Sequence, residues 1–291
     1  MTTRTRFAPS PTGPLHLGHG YAALVAADLA RAAGGQFLLR IEDIDRSRAR
    51  PHWEAQLKDD LHWLGLDWPD PAMRQSERLG VYEERLATLW KDGLLYPCTC
   101  NRRDIQSAAS APQEGAPMLG PDGLVYPGTC RHRHDRTGPM PRDAALRLDM
   151  GLALERLGAQ LIRFNETGPL QKDIRTDWTR AELLQGVGDV VLSRREMGTS
   201  YHLSVVVDDH DQGITLVTRG ADLADATSIH VVLQGLLGLS SPSYHHHRLI
   251  RDPAGKRLAK RDDARALAAY RAEGLAPADL RRMIGFTPSV S

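Results

Sequence analysis

The sequence predicts an α/β fold that opens on a parallel sheet, and three features carry that expectation. The first is a strand-loop-helix-strand succession at the N-terminus: a strand at Arg4 to Ala8, a Pro/Gly/Ser-rich turn at Pro9 to Pro14, a helix from about Gly18 to Ala33 and a strand at Gln36 to Ile41. Such units begin parallel sheets, whose sites lie beyond the carboxyl ends of the strands. The second is a pair of helix-period patterns, His52 to Leu64 and Glu77 to Lys91, rich in Trp, Leu and paired charges. The third is size: 291 residues, 41% of them hydrophobic, suffice for a large core with room for an insertion.

Along the chain, Gly34-Gly35 stops the first helix, and Trp53, Trp63 and Trp90 read as core. From Asn101 to Leu124 the composition turns to Ala, Pro, Gly and Gln without either period, which reads as a surface excursion closed at its base by the cysteines around it. Strand-like segments return at Ala145 to Asp149 and Gln160 to Phe164. Gly188 to Ser193 and Tyr201 to Val207 read as two buried strands joined by a turn. A helix at Leu223 to Leu237 and a strand at Tyr244 to Ile250 lead to a polar loop, RDPAGKRLAKRDD, and the remaining residues suffice for two short helices. No internal repeat is present.

Charge and cysteine content narrow the function. The 37 Lys+Arg and 36 Asp+Glu leave a formal charge of +1, so any contact with nucleic acid must be local. MTTRTRFAPS lacks the apolar core of a signal peptide, and no stretch reaches membrane-spanning length. A soluble cytoplasmic protein with no membrane partner is expected. Cys98, Cys100 and Cys130 are odd in number and close in sequence, which argues for a local metal site over disulfides.

The first turn carries His16-Leu17-Gly18-His19 and runs straight into a helix. Two imidazoles three residues apart, with a glycine allowing close approach, can meet phosphate oxygens where the helix start already favours anions. The four residues alone are also compatible with a solvated polar turn. Late in the chain, Lys256-Arg257-Leu258-Ala259-Lys260-Arg261 offers mobile cations of the kind that follow charge onto a departing pyrophosphate. In isolation it would be a solvated charge run. One early and one late motif are expected to meet on a single ATP when a sheet folds back on itself.

RFAPSPTGPLHLGH followed by LLRIEDIDRSR closely resembles the opening of glutamyl-tRNA synthetases, with HLGH in place of the class I HIGH signature. Arg257 to Arg261, RLAKR, stands where that family has its KMSKS signature, and the resemblance continues through VVVDDHDQGITLVTRGADL. Ala259 departs from the serine usual there, whereas Lys260 is retained. The resemblance implies a Rossmann-type class I aminoacyl-tRNA synthetase catalytic core with an inserted zinc-bearing subdomain and a short helical C-terminal tail. It implies His16, Gly18, His19 and Lys260 at ATP, with His16, His19 and Lys260 acting by charge stabilisation and positioning. It also implies a glutamate pocket of Arg6, Ala8, Ser10, Glu42, Tyr201 and Arg219. The charges are complementary to L-glutamate: two arginines for two carboxylates, and Glu42 for the ammonium. The expected reaction is formation of glutamyl-adenylate and pyrophosphate from glutamate and ATP, with Mg²⁺ on the phosphates.

Three thiolates at the base of an irregular loop suit a structural tetrahedral Zn²⁺. Spacing and ligand chemistry leave the fourth position to His132 or His134, while YPGTC resembles a Cys, Cys, Tyr, Cys site of a short branch of the family and implies Tyr126. Since the chain ends at Ser291, soon after the KMSKS-like loop, it resembles the stand-alone branch that lacks an anticodon-binding domain. That branch attaches glutamate to the queuosine base in the anticodon of tRNA(Asp). The expected organisation is two halves of the catalytic core at 1–95 and 186–262, the insertion at 96–185 and a tail at 263–291, acting as a monomer. A minimal enzyme charging tRNA(Glu) and a catalytically silent RNA-binding module are the other readings. His245-His246-His247 is expected at a strand edge, alternating between faces, and receives no role.

Overall fold

A computed structural model describes residues 2–109, 119–133, 135–251 and 265–288. The strand β1 (Arg4–Phe7) leads through the turn into α1 (Leu17–Ala32), then β2 (Gln36–Ile41), α2 (Pro51–Trp63), β3 (Met73–Arg74) and α3 (Leu79–Lys91). β1 pairs with β2 and β2 with β3, all in parallel, with Arg6 opposite Leu38 and Ile41 opposite Arg74. The return from α1 to β2 is tight because a Cβ on Gly35 would lie 2.0 Å from the Thr3 carbonyl oxygen, so only glycine fits.

β4 (Leu95–Cys98) opens the insertion, followed by α4 (Arg102–Ala109), β5 (Leu119–Gly120), β6 (Gly123–Leu124), β7 (Ala145–Leu148), α5 (Met150–Leu157), β8 (Leu161–Arg163), β9 (Asp177–Thr179), α6 (Arg180–Gly186) and β10 (Val191–Ser193). β10, β7 and β4 form an antiparallel sheet in that order, while β5-β6 and β8-β9 are hairpins. The segment expected to have no period, Asn101 to Leu124, thus contains a helix and a short hairpin.

The chain then returns through α7 (Tyr201–Asp211), β11 (Leu216–Gly220), α8 (Thr227–Leu236) and β12 (Ser243–His247). β11 and β12 pair in parallel, and the Thr215 amide donates to the Arg4 carbonyl at 3.0 Å, joining this pair to the first sheet. Tyr201 to Val207 is therefore helix, not the strand its Val run suggested. Ser200 caps it, accepting from the Leu203 amide, and every residue from His202 to Asp209 is buried. A helix enclosed on all sides shows no 3.6-residue alternation, so a β-branched run there imitates a buried strand. β12 is the outer strand of its pair, as expected, and is bridged on its far side at Tyr244, whose amide donates to the Asn165 carbonyl and whose carbonyl accepts from the Thr167 amide, both at 2.8 Å.

The two short helices expected at the end are α9 (Leu267–Ala272) and α10 (Pro277–Met283). Their Leu267, Tyr270 and Leu280, with Ile284 just after α10, share an apolar cluster with Leu57 and Leu61 of α2, with Leu64 just after it, and with the buried face of α1. Trp90 lies in the larger cluster of the second half and insertion, whereas Trp53 and Trp63 are only half-buried. Among the described residues, no helix is long and apolar enough to cross a membrane.

Asp60 of α2 is buried, and its Oδ2 has no hydrogen-bond partner. Burial pushes its carboxyl up to about 6, against the opposing pull of Arg271. With the folded pKa above the unfolded one, the folded state holds more protons between about pH 4 and 6, so this group's contribution falls as pH rises through that window. Asp60→Asn should raise stability at pH 7 by about 1 kcal/mol and flatten the variant-minus-wild-type difference below pH 4, as read by denaturant unfolding across pH.

Candidate functional site

A cleft of about 310 Å³ opens at the carboxyl ends of β1, β2 and β11. Its walls include Arg6, Ala8, His16, Gly18, His19, Glu42, Tyr201 and Arg219, which the sequence placed far apart. Ser10 is not among its walls, and Ala259 and Lys260 lie outside the described residues. The described residues that flank them in sequence do reach this place. Ile250 lines the cleft on one side, and Ala266 makes an antiparallel bridge to His16 on the other.

His16 and His19 build the helix start before they meet any ligand. His16 is the N-cap of α1 and its Nδ1 accepts from the Gly18 amide at 3.1 Å, while His19 Nδ1 accepts from the His16 amide at 3.2 Å. The rings stack with centroids 3.7 Å apart. With both Nδ1 atoms accepting, each ring when neutral carries its proton on Nε2. Gly18 is needed because a Cβ there would lie 3.0 Å from His16 Cε1.

Arg6 is held in a buried ion-pair system that sequence reasoning missed. Its Nε and Nη2 donate to Asp209 at 2.8 and 3.2 Å, and its Nη1 to the Thr218 carbonyl at 3.0 Å. Arg40, fully buried, donates to Asp209 at 2.7 Å and to Glu42 at 3.1 Å. Asp208 accepts from Gln75 and Arg78, each at 2.8 Å, and from the Tyr82 hydroxyl at 2.9 Å. Burial raises Asp209, but Arg6 and Arg40 outweigh it and hold its carboxyl below the usual range. Burial wins at Glu42, whose pKa is raised despite Arg40 and Arg6, and burial likewise raises the Tyr201 phenol. The adjacent acids of the DDHD stretch were the available sequence signal, since paired acids in an apolar run imply buried cations.

The cysteines converge as expected. The three Sγ atoms lie within 4.8 Å of one another, and no histidine, aspartate or glutamate among the described residues joins them at that distance. Tyr126 Oη lies 3.4 Å from Cys98 Sγ and 3.5 Å from Cys100 Sγ, and accepts from the Cys130 amide at 2.8 Å. His132 lines a different pocket, and His134 is outside the described residues. Burial pushes the Cys130 thiol up, but hydrogen bonds from Tyr126 and the Thr99 backbone bring it down to about 6. A soft, compact donor set of three sulfurs and one oxygen fits a tetrahedral zinc.

A parallel nucleotide-binding core whose first helix begins at paired histidines, with an insertion between its halves and an ion-paired cleft at the strand ends, is the catalytic core of a class I aminoacyl-tRNA synthetase. The family model of class I tRNA synthetases (E and Q), catalytic domain, matches residues 2–134 and 169–288, and the chain belongs to that family of ligases. It is 64% identical over 284 residues to a glutamyl-Q tRNA(Asp) synthetase of Rhodobacter capsulatus, covering 97% of this chain and 99% of that one. A protein of the same name from Symbiobacterium thermophilum is 40% identical over 284 residues, covering 94% of this chain and 82% of that one. Among solved structures, a glutamate tRNA ligase from Elizabethkingia meningosepticum in complex with its amino acid superposes with a TM-score of 0.74 at 28% identity, over 98% of this chain. This chain spans 60% of the length of that structure.

Gly18→Ala should push the His16 ring out of its capping position. The KM for ATP is expected to rise about three- to tenfold, measured by glutamate-dependent ATP–pyrophosphate exchange, and the melting temperature to fall by a few degrees with loss of the cap; an unaltered KM would remove His16 from the nucleotide site.

Proposed function

We propose that this protein activates L-glutamate with ATP and transfers it to the queuosine base in the anticodon of tRNA(Asp). The observation that carries the proposal is the charge pattern of one cleft: Arg6 and Arg219 for two carboxylates, Glu42 for an ammonium, and the His16/His19 helix start for phosphate. The near full-length similarity to proteins named for that reaction supports the choice of acceptor. In the first step an α-carboxylate oxygen of glutamate attacks the α-phosphorus of ATP, the bond to the bridging oxygen breaks, and pyrophosphate leaves. ATP enters as its Mg²⁺ complex. The Nε2–H groups of His16 and His19, with Lys260, would stabilise the charge that develops, so no protein nucleophile is required. In the second step a hydroxyl of the modified base attacks the glutamyl carbonyl, its proton is lost, and AMP departs.

Arg6 and Tyr201, with Ala8 and Ser10 in the first turn, complete the glutamate pocket in this reading, which also keeps the organisation into core halves at 1–95 and 186–262, insertion at 96–185 and tail at 263–291. The protein acts as a monomer in the cytoplasm. Cys98, Cys100, Tyr126 and Cys130 hold a structural Zn²⁺ that ties the insertion together, burial and the neighbouring thiols keeping the Tyr126 phenol protonated until a cation takes the site.

Transfer of labelled glutamate to tRNA(Asp) with queuosine, tRNA(Asp) without it and tRNA(Glu) tests the acceptor. Labelling of the queuosine form alone is expected, whereas labelling of tRNA(Glu) would make this a minimal glutamyl-tRNA synthetase. Elemental analysis should find one zinc per chain; Cys130→Ala should lose it and lower the melting temperature by about 5 °C or more. Full metal content in Cys130→Ala would move the site elsewhere.

A further inference from the structure

Arg219 sits in a string of polar side chains, buried except for Asp122 at one outer end, whose other members the proposed reaction leaves unassigned. Its Nε lies 3.2 Å from His246 Nε2, its Nη1 3.1 Å from His230 Nδ1, and its Nη2 donates to the Thr227 hydroxyl. An arginine has only donors and stays charged, so both histidine nitrogens must be acceptors. That deduction fixes each tautomer in turn. With His246 Nε2 accepting, its proton is on Nδ1, which faces Glu166 Oε2 at 2.5 Å. The other Glu166 oxygen accepts the Gly168 and His246 amides at 2.7 and 3.0 Å, so this carboxylate is fully used. Burial raises it, but the His246 hydrogen bonds outweigh burial and hold it below its usual range.

On the other side, His230 Nδ1 accepts from Arg219, so its proton is on Nε2, 3.2 Å from His202 Nδ1. His202 in turn directs Nε2–H toward Asp122 Oδ1 at 3.4 Å, at the β5-β6 hairpin of the insertion. His202, His230 and His246 are all buried, and burial with the Arg219 charge keeps His230 neutral well below its ordinary range.

We propose that His246 and His230 are positioning residues that clamp the Arg219 guanidinium from two sides, each locked as an acceptor by a carboxylate at the outer end of its arm, Glu166 or Asp122. Three of the five arginine N–H groups are spent on this frame. The remaining N–H on each terminal nitrogen is left for the cleft, where Arg219 is a wall. A rigid pair of donors accepts a carboxylate and opposes an amide NH₂, so the string sets selectivity for glutamate over glutamine. The inference rests on the reading that Arg219 meets a glutamate carboxylate.

The test compares His230→Asn and His246→Gln, whose amide oxygens can replace the accepting Nδ1 and Nε2 respectively, with His230→Leu and His246→Leu. In ATP–pyrophosphate exchange with total tRNA present, the Leu variants should raise the KM for glutamate about tenfold or more, leave the KM for ATP within about twofold, and narrow the preference for glutamate over glutamine. The Asn and Gln variants should stay within about threefold of wild type. Equal loss in both sets, or loss of kcat and thermal stability without a glutamate-specific change in KM, would reduce the string to packing and overturn the proposal. Imidazole ¹⁵N NMR of the wild-type protein decides independently of activity. The proposal requires Nδ1–H on His246 and Nε2–H on His230 and His202, and the opposite tautomer or a charged ring at neutral pH overturns it. Absence of exchange in the wild-type enzyme would instead strike the proposed function, with the tautomers still deciding the string.

Discussion

The structure is organised around two adjacent carboxylates, Asp208 and Asp209, buried near the end of α7. Asp209 takes Arg6 from β1 and Arg40 from β2; Asp208 takes Gln75, Arg78 and Tyr82 from the stretch that ends the third strand and begins α3. One turn of helix thereby ties together the strands of the first half of the chain, across about two hundred residues of sequence. Taking such charges out of water is costly, and the cost is recovered only when every partner is in place; deleting one member of a buried pair typically loses about 3–5 kcal/mol. The cluster therefore admits a single register of α7 against the sheet and excludes its neighbours.

The same cluster prepares the cleft. Asp209 occupies one side of the Arg6 guanidinium, so that group is oriented before a ligand arrives, and Arg40 anchors Glu42 in a site where burial alone would favour its neutral form. At the opposite wall the helix start is closed by the two imidazoles themselves. Each Nδ1 satisfies a backbone amide that would otherwise be orphaned at the first turn of α1, which frees neither ring to rotate. Capping thus uses the Nδ1 of each ring and leaves Nε2 outside the cap.

The insertion has its own fixed point in Asp189, which accepts from the Tyr96 hydroxyl at 2.5 Å, from Arg131 at 2.8 Å and from the Met150 amide at 3.0 Å. Arg147 lies over the Tyr126 ring with its guanidinium carbon 3.8 Å from the centroid. A cation over the ring face is held by the ring quadrupole and fixes the orientation of the phenol beside the sulfurs. The sulfur cluster is therefore braced by polar contacts where the surrounding chain is too short of apolar side chains to build a core.

What the sequence by itself determined is local in chemistry. The strand-turn-helix-strand opening, the HLGH turn, the C-x-C pair and the two short terminal helices are legible because glycine conformations, helix caps and sulfur spacing act over a few residues. The residues that line one cleft, Arg6, Ala8, Glu42, Tyr201 and Arg219, were also singled out, through resemblance to a family whose motifs are long and linked. Tertiary structure alone decided three things. It made Tyr201 to Val207 a helix, because complete burial erases the periodicity that separates helix from strand. It paired the adjacent acids at 208 and 209 with arginines from three separate segments. It turned a histidine triplet with no apparent role into opposite walls, with His246 against Glu166 and Arg219 and His247 in the cleft. In each case the deciding energy is desolvation: a charged or polar group is tolerated in the interior only where a distant part of the chain supplies its partner, and that partner has no fixed spacing in the sequence.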